Sequence, residues 1–254
     1  MHLIALPALA DNYIWLLHDD SGHALVVDPG DGDVVLHALA TRQLHLGGIL
    51  LTHHHQDHIG GVHRLLAQQR VPVYAPPDTR ISATTHPVND GDTIDLQLPR
   101  ARFSVIDVPG HTRSHVAYVG EGLLLCGDTL FSLGCGRLFE GTPAQMLKSL
   151  DRLSTLPAST QVCAAHEYTA ANGRFAHTIE PRNATLQARR RQVARLRAKN
   201  QPTLPVTLGS ELASNPFLRV DAKPVMDWCQ REHAIDNDRV ACFTALRAAK
   251  DGFH

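Results

Sequence analysis

The sequence has no long apolar run. Its longest uninterrupted stretch is Tyr13–Leu17, five residues in a chain of 254, against the roughly 20 that a membrane-spanning helix needs. It has no excess charge of one sign either: 24 Lys and Arg stand against 25 Asp and Glu, a formal net charge of -1. That balance supplies no global basic field, so neither a membrane nor a nucleic acid is expected as a partner. Aromatic residues are few, at 5%, and no fixed period suggests a solenoid, a coiled coil or a collagen. Cysteine is sparse and unpatterned. Cys126, Cys135, Cys163, Cys229 and Cys242 are odd in number and show no C-x-x-C spacing, so neither a disulfide framework nor a zinc ribbon is indicated. Reduced cytosolic thiols that pack as small hydrophobes are expected. Ala8-Leu9-Ala10 mimics a signal-peptidase site, but no Lys or Arg precedes it and Pro7 interrupts the apolar stretch. The start therefore reads as a first strand, not as an export signal.

What is present is an ordinary globular composition, 43% hydrophobic, with an excess of histidine at 17 residues. The first two thirds carry short β-like runs at His23–Val27, Gly48–Leu51, Val71–Tyr74, Phe103–Ile106, His115–Val119 and Leu123–Cys126. Each is bounded by turn formers. Helical patterns intervene near 33–41, 60–69 and 143–156, the last opening on Thr142 as N-cap with Pro143 at the first helical position. From about Glu167 the strand signals fade. Leu186, Val193 and Leu196 share a helical face, Arg189, Arg190, Arg191, Arg195 and Arg197 surround the others, and Val240, Phe243, Thr244 and Arg247 continue at helical spacing. The basic stretch 182–199 reads as a solvated face of a packing helix. An α/β domain followed by a smaller helical one is expected.

The histidines decide the chemistry. Ile49–Leu51 run straight into Thr52-His53-His54-His55-Gln56-Asp57-His58. In extended chain, residues two apart share a side, which places His53, His55 and Asp57 together, with His58 following as the chain turns. Imidazole and carboxylate are the ligands of zinc, iron and manganese, and four candidates within six positions could serve two neighbouring ions. Three further segments, His111 after Pro109-Gly110, Asp128 after Cys126-Gly127 and His166 after Ala164-Ala165, each put a candidate ligand at a strand end. Asp28, after the strand at Ala24–Val27, could orient a ligating histidine or cap the turn at Pro29-Gly30.

The T-H-x-H-x-D-H core at Thr52–His58, Gly110-His111-Thr112, Gly127-Asp128-Thr129 and His166-Glu167-Tyr168 resemble the metallo-β-lactamase superfamily. Leu130–Thr142, Ala165–Thr169, Asn215–Arg219 and Arg247–Phe253 are similar to the glyoxalase II, or hydroxyacylglutathione hydrolase, family within it. The resemblance implies an αββα sandwich over residues 1–166 and a helical substrate-binding domain over 167–254. It implies two divalent metal ions, zinc with iron or manganese as alternatives: His53, His55 and His111 on the first, Asp57, His58 and His166 on the second, and Asp128 bridging. The activity implied is hydrolysis of S-D-lactoylglutathione to glutathione and D-lactate by a metal-bound hydroxide, with Asp57 and Asp128 in catalytic roles. Arg137, Tyr168, Arg247 and Lys250 would contact glutathione, although periodicity alone would put Arg247 and Lys250 on a solvated helix face. Phe139 stands where many members have Tyr, so a hydroxyl is missing there. A cytoplasmic monomer acting on a small molecule is expected. The rivals are another superfamily hydrolase, such as a phosphodiesterase, nuclease or different thioesterase, and a non-catalytic metal binder.

Overall fold

The computed structural model describes residues 1–253, which form two compact units. The first holds Met1–Asp107, Ser114–Gly127 and Cys163–His166, and the second Val108–Arg113, Asp128–Val162 and Glu167 onward.

The first unit is built on two β-sheets. One runs in spatial order through β1 (His2–Ala8), β2 (Asn12–His18), β3 (His23–Val27), β4 (His45–Leu50), β5 (Val73–Ala75) and β6 (His86–Pro87). β1, β2 and β3 pair antiparallel, whereas β3 to β6 pair in parallel. Parallel neighbours need crossovers, and α1 (Gly32–Arg42), α2 (Gln56–Ile59) and α3 (Val62–Leu66) supply the first two. Val35, Ala38 and Leu39 of α1 join the core of Ile14, Leu16, Val26, Ile49 and Leu51. The other sheet contains β7 (Thr93–Gln97), β8 (Arg100–Asp107), β9 (Val116–Gly120) and β10 (Leu123–Gly127), all antiparallel. β7 alternates exposed and buried residues, as an edge strand with one wet face should, while β10 is buried throughout. The two sheets face each other, and Tyr118 of β9 donates its hydroxyl across to Leu51 O at 2.7 Å.

The second unit is mainly helical. Its small strands are β11 (Leu130–Phe131) with β12 (Gly134–Cys135), and the first half of β13 (Gln161–Ala164) with β14 (Val206–Thr207). Its helices are α4 (Pro143–Ser154), α5 (Thr169–Ile179), α6 (Ala184–Arg197), α7 (Leu208–Ser214), α8 (Lys223–His233) and α9 (Arg239–Asp251). The Thr142 signal is realised in full: its side chain accepts from Gln145 N and the Gln145 side chain accepts from Thr142 N, a capping box.

Two expectations are corrected here. Cys229 and Cys242 form a disulfide with Cα atoms 5.6 Å apart, because α8 and α9 pack together across the short loop 234–238. Cys126, Cys135 and Cys163 remain buried thiols. Arg189 leaves the solvated face of α6: it is buried and donates to Thr203 O at 2.7 Å and Ser132 Oγ at 3.3 Å.

Candidate metal centre

In the first unit the site begins where parallel strands β3 and β4 end, the usual place for function in such sheets. Asp28, just past β3, resolves its two readings in favour of orientation. Its Oδ1 accepts from Thr52 N at 2.8 Å, and its Oδ2 accepts from Thr52 Oγ1 at 2.7 Å and His58 Nδ1 at 3.0 Å. Thr52 has one hydroxyl hydrogen and gives it to Asp28. Its oxygen therefore accepts from His53 Nδ1 at 3.0 Å, and the His53 lone pair sits on Nε2. His53 Nε2 and His55 Nδ1 are 3.1 Å apart. A Cβ on Gly30 would stand 1.9 Å from the Asp57 carbonyl oxygen, so this close turn requires glycine.

The two-residue alternation holds for His53 and His55 and fails at Asp57. A helical turn starts at Gln56 with His55 as its N-cap, which rotates Asp57 toward different neighbours. Its Oδ2 is 3.4 Å from His58 Nε2 and 3.4 Å from His166 Nε2. Ligand atoms of Asp57, His58 and His166 all lie within 4.8 Å of one another. Burial alone would raise the Asp57 carboxyl, but the His166 and His58 imidazoles beside it and the hydrogen bond that Asn12 donates hold it well below the carboxylate range. His54 Nδ1 lies 3.7 Å from Asp78, and His115 stacks on His53 at 4.5 Å between ring centroids.

In the second unit His111 and Asp128 come together, with His111 Nε2 3.4 Å from Asp128 Oδ2. His111 Nδ1 donates to Arg137 O at 2.8 Å. A Cβ on Gly136 would stand 1.9 Å from Asp128 O, so glycine is what lets the loop pass behind both residues. His111 and Asp128 open onto a cavity of about 450 Å³, whose walls include Arg137, Tyr168, Arg247, Lys250, Phe131 and Phe139. Arg247 is 5% exposed, donates to Cys135 O at 2.7 Å and to Asp251 Oδ1 at 3.0 Å, and lies over the Phe217 ring. The solvated-face reading of α9 fails there. Arg137 Nε is 3.4 Å from the same Asp251 oxygen. Burial, then the charges of Arg247 and Arg137, push the Lys250 ammonium down. Phe139 is 64% exposed and meets the His111 ring edge-on.

Sequence reasoning missed Asp11, Asn12 and Asp251. Asp11 Oδ1 is 2.7 Å from His166 Nδ1, and Asn12 Nδ2 donates to Asp57 Oδ2 at 2.9 Å. The only local signal is an Asp-Asn pair at a strand start. Glu167, adjacent to a candidate ligand, turns elsewhere and accepts from Thr203 N at 2.8 Å and Thr203 Oγ1 at 2.7 Å.

The donor set suits divalent cations. His53, His58, His111 and His166 each have Nδ1 against an oxygen, from Thr52, Asp28, Arg137 and Asp11 respectively. In each neutral ring the lone pair is then on Nε2, and carboxylates complete the set.

Comparison with known proteins covers both parts of the chain. The metallo-beta-lactamase superfamily model matches residues 10–166, and the model of the hydroxyacylglutathione hydrolase C-terminus matches residues 167–253. A hydroxyacylglutathione hydrolase of Xylella fastidiosa (strain 9a5c) is 49% identical over 256 residues, covering 100% of this chain and 98% of the relative. One from Vibrio cholerae serotype O1 (strain M66-2) is 49% identical, with 100% of each chain covered. Among solved structures, TTHA1623 in a di-iron-bound form superposes with a TM-score of 0.61 at 27% identity, covering 86% of this chain and 100% of that one. The fold is therefore that of the metallo-β-lactamases, and the chain belongs to the hydroxyacylglutathione hydrolase family.

Proposed function

We propose that the chain hydrolyses S-D-lactoylglutathione and related S-2-hydroxyacylglutathiones to glutathione and the free 2-hydroxy acid, the second step of methylglyoxal detoxification. The observation that carries this reading is 49% identity, along the whole chain, to hydroxyacylglutathione hydrolases. In this reading His53, His55 and His111 would hold one divalent cation, Asp57, His58 and His166 would hold another, and Asp128 would serve both. Zinc is the ion proposed, on ligands that iron and manganese also accept. When bound, the cations supply Lewis acidity, lowering the pKa of water and polarising the thioester carbonyl. Residues 1–166 are the catalytic part and 167–254 the substrate-binding part, a division supported by the limits of the two family matches. A cytoplasmic monomer is part of the same proposal.

The chain's own residues bind and orient. Asp57 stays ionised and accepts a hydrogen bond from the attacking water. Cys135 is no nucleophile, because burial pushes its thiol up to about 11 and keeps it protonated at neutral pH. The glutathione moiety carries two carboxylates, which Arg137, Lys250, Tyr168 and Arg247 are proposed to receive. Arg247 is anchored by Cys135 O and Asp251, so it contributes a fixed charge. Lys250, half-buried among like charges, gains most from an incoming anion.

Loss of thioester absorbance on incubating metal-loaded protein with S-D-lactoylglutathione tests the activity. No turnover, alongside cleavage of a phosphodiester, would move the protein to the nuclease-type rivals. Arg247→Ala with Lys250→Ala is expected to raise KM by about 10–100-fold, the worth of one or two charge-assisted contacts. A loss confined to kcat would contradict ground-state binding there. The Lys250 shift adds a pH signature. A depressed ammonium pKa means that the charge is present at low pH and is lost as pH rises through the lowered value. KM is therefore expected to climb on the alkaline side, and Lys250→Arg, charged throughout, is expected to flatten that climb. An identical profile in both proteins would exclude Lys250 as its source.

A further inference from the structure

β1 and β2 are paired down to Ala8 opposite Asn12, so Leu9, Ala10 and Asp11 make the whole turn, with Leu9 at φ 51°. The turn is pinned to the segment that carries His166. Asn12 forms a β-bridge with His166, and Tyr13 N donates to Ala165 O at 2.6 Å. Two consecutive side chains then reach two different candidate ligands. Asp11 meets His166 Nδ1 at 2.7 Å, and Asn12 donates to Asp57 Oδ2 at 2.9 Å.

We infer that Asp11 and Asn12 act together as positioning residues for the cation assigned above to Asp57, His58 and His166, and that they set its affinity apart from that of its neighbour. The inference rests on that proposed dinuclear site. The Asp11 carboxylate only accepts, so Nδ1 of His166 carries the hydrogen and Nε2 carries the lone pair, 3.4 Å from Asp57 Oδ2. The negative charge also makes the imidazole a stronger donor to a cation. Asn12 holds the Asp57 oxygen on which both His58 Nε2 and His166 Nε2 converge. His58 has its own carboxylate in Asp28, at 3.0 Å.

Both imidazoles of this set are thus backed by carboxylates. In the other set His53 and His111 are backed by neutral oxygens, the Thr52 hydroxyl and the Arg137 carbonyl, and His55 Nδ1 lies 3.1 Å from His53 Nε2. The asymmetry is built into the chain. The cation on Asp57, His58 and His166 would sit on two imidazoles that carboxylates polarise, and removing Asp11 would weaken that cation alone.

The test is stripping by chelation followed by titration with cobalt(II), read by its visible absorption and by competition with a chromophoric chelator. Wild-type protein is expected to take two equivalents. Asp11→Ala is expected to lose about 10–100-fold in affinity for one equivalent and to leave the other near its wild-type value. Asp11→Asn keeps an acceptor for Nδ1 but not the charge, so its loss is expected to be intermediate. Asn12→Ala is expected to alter the cobalt bands of that same equivalent. Far-UV circular dichroism separates these effects from unfolding. If Asp11→Ala does not fold, the Asn variant decides. Wild-type affinities for both equivalents in Asp11→Asn would overturn the charge argument, and equal weakening of both equivalents in either variant would overturn the selectivity. Fewer than two equivalents in wild-type protein would instead overturn the dinuclear reading itself.

Discussion

Asp128→Ala is expected to lower kcat/KM toward S-D-lactoylglutathione by about 10³-fold or more and to reduce metal content at the same time. Losing a single oxyanion contact costs roughly 10²–10³-fold, and in the proposed site this carboxylate would serve both ions, so its removal would weaken metal binding as well. Asp128 is fitted for that role by its position. It follows the last residue of the buried strand β10, its Oδ2 lies 3.4 Å from His111 Nε2, and the loop at Gly136 passes against its carbonyl. Alanine removes the charge without disturbing that backbone, so the fold should persist. Asp128→Asn keeps the shape and loses the charge, and is expected to retain more metal than Ala. Elemental analysis beside steady-state kinetics checks both. Full occupancy by two ions in Asp128→Ala would contradict the bridging role.

Glu211→Ala should be the most damaging single change to stability, by about 3–5 kcal/mol, the usual cost of taking one partner from a buried charged network. Glu211 is 0% exposed and accepts from Leu133 N at 2.7 Å, Ser132 Oγ at 2.8 Å and Asn215 Nδ2 at 3.1 Å. Burial pushes its carboxyl up, while those hydrogen bonds and the charge of Arg189 oppose the push. Alanine would leave the Leu133 amide without this acceptor and Arg189 buried without this counter-charge. The same network carries the loop from Phe131 to Cys135, because Asn215 also donates to Phe131 O at 3.1 Å and Gly134 O at 2.9 Å. Urea unfolding of the two proteins measures the loss. A change below about 1 kcal/mol would mean that water replaces the carboxylate.

What the sequence disclosed, and what it hid, follows from the range of each interaction. The capping box at Thr142 was legible because its partner is three residues away. The His53–His58 cluster was legible because one loop carries it, and His111, Asp128 and His166 through strand-end placement joined to family motifs. Asn12 and Asp11 were not legible, since their partners lie 45 and 155 residues along the chain. Arg189, and Arg247 where periodicity alone is read, misled for a related reason. Helical periodicity registers a residue's own helix, while the carbonyls that bury these guanidiniums, those of Thr203 and Cys135, belong to distant segments. Asp57 fell out of phase because one helical turn starts two residues after His54. The disulfide had no motif to announce it, since only the packing of α8 on α9 brings Cys229 to Cys242.

The backbone passes from one compact unit to the other five times, after Asp107, Arg113, Gly127, Val162 and His166. For inheritance this means that the boundary at residue 166 is no clean place for genes to exchange parts. A recombination there would pass on the helical tail while leaving behind Val108–Arg113 and Asp128–Val162, which fold with it. Hybrid offspring of two diverged parents would have to match along three separate stretches at once.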